Sequence, residues 1–350
     1  MRSSWTLRGR LRLTCSTLDI LLCGISTYHL FNKTLASVPT APELAASLAA
    51  SLITLANEQL LSFDYKDVPV YWRRLHTDAT LLSAIALLLL DRAGAEIVRS
   101  LDLALIVSGT PGEHRREITF ALIARAQAPL LCDRTPRQEA PERPTKRARL
   151  SPLAAPPVLR PIPRLSSPPF PVLPSHPFIL PAHCAHWPAA TLWSSPAHLL
   201  ALAGPARVVP VEVGADYTAR DWGQRIIPLE DFLTSLDEGK ETLYLAQHDL
   251  FRQIPALRDD VEIPDLVYSA PDTPADAPDY DPVANEEGYT LNAWLGPAGT
   301  VSPAHTDPYF NCYGPSFASH PLSSLTQSLK QPRSSARNGS GSPRLPQLRP

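Results

Sequence analysis

A histidine and an aspartate two positions apart, His305 and Asp307, are the residues of this sequence best suited to metal chemistry. They follow a Gly- and Pro-rich turn, so we expect the segment that holds them to be extended. Residues i and i+2 of a strand point to the same face, which would let an imidazole nitrogen and a carboxylate oxygen reach one ion. Two histidines and one carboxylate hold Fe(II) in non-haem oxygenases, and this pair would supply two of the three. Taken alone, the triplet fits a turn aspartate beside a surface histidine equally well.

The composition of the chain argues against several classes of protein. Its 32 Lys and Arg against 34 Asp and Glu in 350 residues leave it near neutral, so no overall field attracts nucleic acid or a membrane surface. The five cysteines are scattered without a CxxC pair, which favours a reducing compartment over a disulfide framework. The longest uncharged apolar run, residues 79–90, is much shorter than the roughly twenty residues of a membrane span. We therefore expect no membrane segment and no direct binding to nucleic acid.

The first 132 residues are predicted to form an α-helical domain. Apolar residues recur at helical spacing through an Ala-rich segment, a second unit runs from residue 67 to 90, and a Gly/Pro turn at 109–112 separates two further amphipathic segments. Several antiparallel helices are the plain inference. No residue pattern in this domain indicates chemistry, so a docking or scaffolding role with an unknown partner is expected.

The remainder of the chain divides into three parts of different composition. Residues 133–174 contain twelve prolines and are predicted to be a disordered linker. Residues 175–314 are β-rich and are predicted to form a second domain. Residues 315–350 are basic, rich in Ser and Pro, and contain no Asp or Glu, so they are predicted to be a disordered tail.

A basic cluster, Arg143–Arg149, lies inside the predicted linker. Such a cluster is typical of a nuclear-import signal, and it is also typical of a solvated run of charge. Both readings stay open on the sequence. The expected location is the nucleus, the cytoplasm or both.

The β-rich part alternates short strands with turns. Strands are predicted at 178–180, 206–213 and 291–295, where β-branched residues or apolar alternation lie between Gly and Pro turns. Helices are predicted at 195–202 and 228–236. Antiparallel strands of this kind suit a double-sheet jelly roll or barrel.

Several stretches resemble one family. The segment 291–311, with His305-Thr-Asp307-Pro-Tyr-Phe-Asn311 at its end, resembles the Jumonji C (JmjC) family of Fe(II)- and 2-oxoglutarate-dependent oxygenases. It is closest to the lysine demethylase eight-like branch, also described as protein arginyl hydroxylases. His186-Trp-Pro-Ala, residues 208–214 and residues 243–264 are similar to further motifs of that branch. The resemblance implies an α+β protein, in which an α-helical N-terminal domain precedes a double-stranded β-helix of the cupin or jelly-roll type.

The resemblance also implies tasks for particular positions. The matching residues are His305 and Asp307 for iron, Tyr244 and Asn311 for 2-oxoglutarate, and Glu212, Trp294 and Ser302 for the substrate pocket. No catalytic residue beyond the metal ligands is implied. Without the family, Tyr244 and Trp294 would be read as core aromatics. Glu212 on an apolar strand needs a partner, and a cationic substrate side chain would be one.

The implied chemistry is oxidation of a protein side chain with Fe(II), 2-oxoglutarate and O₂. Three protein ligands leave coordination positions open for the co-substrate and for O₂. Hydroxylation of a carbon is the direct product, and hydroxylation of an N-methyl group leads to demethylation. An arginyl or methyl-lysyl side chain of a protein, a histone or another nuclear protein among the options, is therefore the expected substrate.

The sequence departs from the family pattern after Asn311. The family continues with a lysine that binds 2-oxoglutarate and with a distal iron histidine, and neither has a counterpart here, since His320 lies in a segment without strand pattern. The composition changes abruptly at Gly314, as in a truncated isoform or a misread gene. We therefore expect a C-terminally incomplete JmjC domain with impaired activity. The alternatives are a non-catalytic protein-interaction module with a vestigial JmjC domain, and a metal-binding cupin without oxygenase activity.

Overall fold

The computed structural model describes most of both expected domains. The described residues are 17–92, 94–132, 161–167, 177–214, 222–238, 241–268, 287–297, 300, 307 and 310–314. The basic cluster at 143–149 and the tail at 315–350 lie outside them. The domain boundaries at 132, 174 and 314 therefore stay predictions.

The N-terminal region is helical, as the spacing of its apolar residues predicts. Its elements are α1 Thr17–Leu21, α2 Ile25–Ser37, α3 Pro42–Leu61, a 3₁₀ turn Tyr65–Asp67, α4 Val70–Leu89, α5 Gly94–Leu103 continued by a π-helical turn Ala104–Ser108, and α6 Arg115–Cys132. Helices α3 and α4 share the longest contact, and Leu52, Leu75 and Leu82 in their interface are at most 1% exposed. The apolar stripe that indicates each helix is thus the face that it buries.

Helix α3 is also long and apolar enough to cross a membrane, by its length and composition alone. Core helices of proteins that never enter a bilayer pass the same test. Here Ala45, Ala49, Leu52 and Ala56 form a fully buried stripe within the cluster shared by α2, α3 and α4. The small side chains of that stripe let the neighbouring helices approach closely.

A buried ion group joins α4 to α6. The Asp78 side chain is 1% exposed, and both of its oxygens accept hydrogen bonds from guanidinium groups. Arg74 Nε donates to Oδ2 at 2.9 Å, and Arg115 Nε donates to Oδ1 at 2.6 Å. One carboxylate thus lies between two buried cations, and its loss would leave both without that anion.

His76 lies two residues before Asp78 in α4 and contacts the π-helical turn. The residue is 3% exposed, and its Nδ1 lies 3.2 Å from Ser108 Oγ. Ser108 Oγ in turn donates to the carbonyl oxygen of Ala104 at 2.7 Å. Burial lowers the pKa of His76 from 6.5 to about 4 because the charged imidazolium is poorly solvated there.

This buried histidine predicts a pH dependence of stability. Between pH 6.5 and about 4 the unfolded chain binds a proton at His76 that the folded chain excludes. The stability that neutral, buried His76 contributes is therefore complete above pH 6.5 and is lost as the pH falls toward 4. Urea denaturation of His76→Gln should show a flatter pH profile than the unchanged protein across this range. The exposed His29→Gln serves as the control, and an unchanged profile in His76→Gln would contradict the assignment.

The C-terminal region contains a four-stranded antiparallel sheet among its described residues. The strand order is β2-β1-β3-β4. Its strands are β1 Val208–Val213, β2 Gly223–Pro228, β3 Leu243–His248 and β4 Ala293–Leu295. Helices α7 Ala189–Leu192, α8 Pro196–Ala203, α9 Leu229–Glu238 and α10 Leu250–Gln253 accompany it, with 3₁₀ turns at Pro255–Asp260 and Asp265–Tyr268. The α+β class is confirmed.

The core of this region lies between the sheet and its helices. Phe232 of α9 and Leu245 of β3 are fully buried, and Ile254 and Leu257 are 2% exposed in the same cluster. The amphipathic pattern of α9 predicts that arrangement, since its first turn is acidic and its apolar residues face the strands.

The predicted strand at 178–180 is wrong in extent. Ile179 forms an isolated parallel bridge with Arg164, and its N–H donates to the carbonyl oxygen of Pro163 at 2.8 Å. Pro177 and Pro181 flank the bridge and offer no N–H, which limits pairing to a single residue. Part of the segment expected to be linker is thus paired with the start of the β region.

The helical and β regions meet at a second buried ion pair. Asp102 of α5 is fully buried, and Arg207 donates to its carboxylate through Nε and Nη2 at 2.7–2.9 Å. The N–H of Val208, the first residue of β1, donates to the same carboxylate at 2.9 Å. Nearby, Gln127 of α6 donates to the carbonyl oxygen of Pro205 at 2.8 Å. The contact between the two regions therefore includes several paired, buried polar groups.

Candidate functional site

Two of the proposed site residues face each other across adjacent strands. Glu212 of β1 is the direct partner of Tyr244 of β3. Side chains of directly opposed residues in an antiparallel pair lie on the same face of the sheet. The structure thus brings together one residue assigned to the substrate pocket and one assigned to 2-oxoglutarate.

Glu212 is a partly buried carboxylic acid. Burial raises the pKa of Glu212, and a hydrogen bond that Trp222 Nε1 donates to its Oε2 at 3.4 Å opposes the rise to a smaller extent. Trp222 lies just before β2 and is a contributor that the sequence interpretation missed. A desolvated carboxyl on a sheet face is suited to pair with a cationic side chain.

Tyr244 is 7% exposed and lies against the turn after β4. A Cβ atom at Gly296 would lie 2.6 Å from Cδ2 of the tyrosine ring, so only glycine lets the chain approach so closely. The Gly-Pro pair after β4, which the sequence shows as a turn, therefore also has a packing function. Buried core packing and contact with a co-substrate are both compatible with this position of Tyr244.

Asp307 and Asn311 form the second pair of proposed site residues that the structure brings together. The side-chain amide of Asn311 donates to Asp307 Oδ2 at 2.6 Å. Asp307 is half-buried and Asn311 is exposed. An iron ligand and a 2-oxoglutarate contact would thus be neighbours through one hydrogen bond.

The other assigned positions are less informative. His305 and Ser302 lie outside the described residues. Trp294 of β4 is 43% exposed, which argues against the reading of it as a core aromatic and leaves its indole available to a ligand. Of the two aromatics that the family pattern selects, only Tyr244 belongs to the interior.

The donor set assigned to Fe(II) is one imidazole, from His305, and one carboxylate, from Asp307. Carboxylate oxygen and imidazole nitrogen are both ligand types that Fe(II) takes in proteins. Asp307 offers such a carboxylate, already hydrogen-bonded by Asn311, which is the usual support of a ligating carboxylate. Within the described residues, no group of three His, Cys, Asp or Glu could hold a metal ion. The two donors that are assigned, His305 and Asp307, are of the types that Fe(II) binds.

His183 and His186 line an open cavity of about 430 Å³ whose lining includes neither Glu212 nor Tyr244. His186 Nε2 lies 3.0 Å from Glu262 Oε2 in an exposed contact. The lining of the cavity is His183, His186, Trp187, Glu262, Ile263, Pro264, Asp265 and Leu266. Within the described part of the chain, these histidines belong to no group of three metal-ligating side chains.

Comparison with known proteins places this site in a family context. Residues 170–315 match the model of the cupin-like domain. The chain is 43% identical over 143 residues to "Lysine-specific demethylase JMJ30" of Arabidopsis thaliana, a match that covers 40% of the chain and 30% of that protein. It is 44% identical over 134 residues to "Jumonji C domain-containing protein 5" of Drosophila melanogaster, covering 36% and 30%.

A longer match includes the helical region. The chain is 30% identical over 285 residues to "Lysine-specific demethylase 8" of Danio rerio, covering 77% of the chain and 66% of that protein. The matched part thus spans less than a third of the length of the first two relatives and about two thirds of the third.

Proposed function

This chain belongs to the JmjC family of cupin-like domains, and on that premise we propose that it is an oxygenase that acts on protein side chains with Fe(II), 2-oxoglutarate and O₂. The reaction is arginyl hydroxylation or methyl-lysine demethylation. The observation that carries the proposal is the pairing of half-buried Glu212 with Tyr244 on one face of the cupin-like sheet. Nuclear or cytoplasmic location is part of the proposal, supported by the basic cluster 143–149.

In this proposal two residues hold the metal and two contact the co-substrate. His305 and Asp307 would ligate Fe(II), and Tyr244 and Asn311 would contact 2-oxoglutarate. When bound, iron with its co-substrate supplies the oxidising power for hydroxylation of a C–H bond. Asn311 would orient the Asp307 carboxylate through its 2.6 Å hydrogen bond.

Glu212, Trp294 and Ser302 would form the substrate pocket. Charge pairing between Glu212 and a guanidinium or ammonium group offsets the burial that raises the pKa of the free carboxyl. The exposed indole of Trp294 offers a face on which a cationic side chain can stack. Both interactions select cationic side chains and orient them before any oxidation step.

The substrate assignment predicts a loss of affinity in Glu212→Gln. Binding of a synthetic peptide with one central arginine, measured by calorimetry, should weaken by about thirtyfold, which corresponds to about 2 kcal/mol. Affinity for the unchanged protein should rise as the pH rises through the raised pKa of Glu212, since only the carboxylate attracts the cation. The matched control is Glu241→Gln, an exposed glutamate that pairs with Arg225. Equal affinity in both variants would refute the role of Glu212.

The metal assignment predicts weak iron binding by the 350-residue chain. Two protein ligands hold Fe(II) less firmly than the three of a complete triad. Anaerobic titration with Fe(II), followed by release of CO₂ from 2-oxoglutarate, should give weak binding and little turnover. Asp307→Ala and His305→Ala should abolish the remaining iron binding, and exposed Asp64→Ala should not. Firm binding with rapid turnover would contradict the two-ligand assignment.

A non-catalytic interaction module is the second candidate. It is favoured by the departure from the family pattern after Asn311, where the lysine and the distal histidine of the family have no counterpart. Peptide binding that depends on Glu212 and is unaffected by chelation of iron would support this candidate over the oxygenase.

A further inference from the structure

β1 and β3 are joined by backbone pairing at one end and by a side-chain bridge at the other. Glu212 pairs with Tyr244 and Val213 pairs with Leu243 through the backbone. Continuation of this register by four residues brings Val208 opposite His248. Pro210 lies between the two ends and has no N–H to contribute to a ladder.

At the far end a side chain takes the place of backbone pairing. Gln253 Nε2 donates to the carbonyl oxygen of Val208 at 2.7 Å. Its Oε1 lies 2.6 Å from His248 Nε2, and because an amide oxygen only accepts, the histidine is the donor. Gln247 has a positive φ of 49°, and the register between β3 and β4 shifts between Leu245 and His248. The last residue of β3 and the first of β1 are thus bridged by one amide.

Asp102 of the helical region is linked to the Gln253 bridge through Arg207. Arg207 Nη2 donates both to Asp102 and to the carbonyl oxygen of Gln253, each at 2.7 Å. Asp102 also accepts from the N–H of Val208. Both backbone groups of Val208 are therefore hydrogen-bonded by side chains, one of them from α5. Val208 is 2% exposed, so solvent cannot replace these partners, and Asp102 is the one that ties it to the helical region.

We infer that Asp102 is a positioning residue for Glu212 and Tyr244. It fixes the start of β1 against the end of β3, and the two strands then reach the site four residues later in the register that pairs these side chains. A slip by one residue would turn Glu212 to the opposite face of the sheet. The helical region is by this inference a structural part of the site and not a separate docking module. What the Glu212–Tyr244 pair binds rests on the proposed function, whereas its register does not.

A cross-strand disulfide can report this register without any enzymatic reaction. Opposed residues of antiparallel strands have Cα atoms about 4.5–5.5 Å apart, within the range of a disulfide. In the full chain carrying Glu212→Cys and Tyr244→Cys, oxidised glutathione should therefore link the two positions, as identified by peptide mass mapping. Addition of Asp102→Asn should slow the linkage by about tenfold, the factor given by a weakening of the paired state by about 1.4 kcal/mol.

Two further variants separate positioning from general loss of stability. Gln253→Met removes the bridging amide, leaves the Asp102–Arg207 pair in place, and should slow the linkage as well. Leu52→Ala destabilises the helical region at a fully buried site remote from β1 and should leave the linkage rate unchanged. Should Asp102→Asn fail to fold, Asp102→Glu, which keeps a carboxylate but displaces it by one methylene, decides the matter by the same linkage measurement.

Hydrogen exchange gives a second measurement on the chain with its natural site residues. Amides of 208–213 and 243–248 should exchange faster in Asp102→Asn and Gln253→Met than in Leu52→Ala. Equal linkage rates and equal exchange in the three variants would overturn the inference. A retained register effect with no peptide binding would instead count against the proposed function alone.

Discussion

Replacement of Asp78 by alanine is expected to lower the free energy of unfolding by about 3–5 kcal/mol, as when one partner of a buried ion group is removed. Arg74 and Arg115 would remain in the interior at 6% and 3% exposure without the carboxylate between them. The free energy of unfolding can be obtained from urea denaturation followed by far-ultraviolet circular dichroism.

The matched control is Asp67→Ala, in the exposed 3₁₀ turn before α4, which should change stability by less than about 0.5 kcal/mol. A triple change of Arg74→Met, Asp78→Leu and Arg115→Met should recover much of the loss, because apolar residues of similar volume replace buried ion groups at little cost. A loss below about 1 kcal/mol in Asp78→Ala would contradict a large contribution of the Asp78 carboxylate to the stability of the folded state.

The second large effect is expected in the β region. Phe232 is fully buried between α9 and the sheet, in a cluster with Leu245 and Ile254. Phe232→Ala should cost about 3–5 kcal/mol through lost transfer free energy and the cavity left behind. Phe232→Leu retains most of the volume and should cost clearly less. Equal stability of the alanine and leucine variants would mean that the core collapses around the missing ring.

Much of the fold follows from local pattern. The helical spacing in 44–61 and 67–90 predicts α3 and α4, and the β-branched run Val208–Val213 predicts β1. Strand β2 was not predicted, because Gly223-Gln-Arg-Ile-Ile-Pro shows neither alternation nor a long apolar run. Its conformation is imposed by pairing with β1 along its whole length, a tertiary effect that no local pattern carries.

Some residues of the candidate site could likewise be predicted from the sequence, and others could not. Glu212, Tyr244, Asp307 and Asn311 are identifiable because they lie in motifs of a known family, and the structure pairs them as two neighbouring couples. Asp102 shows no such signal, since an aspartate on an amphipathic helix is ordinarily a solvated residue. Its partner Arg207 is 105 positions away, and only the folded chain brings the two together.

That separation also has a temporal consequence. A ribosome that adds about 5–20 residues per second needs about 5–20 s to travel from codon 102 to codon 207. During this interval Arg207 has not yet been synthesised, so the Asp102 carboxylate of α5 is solvated by water. The helices can therefore form early, but the face of α5 that carries Asp102 is covered only after β1 has been synthesised. The order of the chain therefore makes the docking of β1 onto α5 a late step of folding during synthesis.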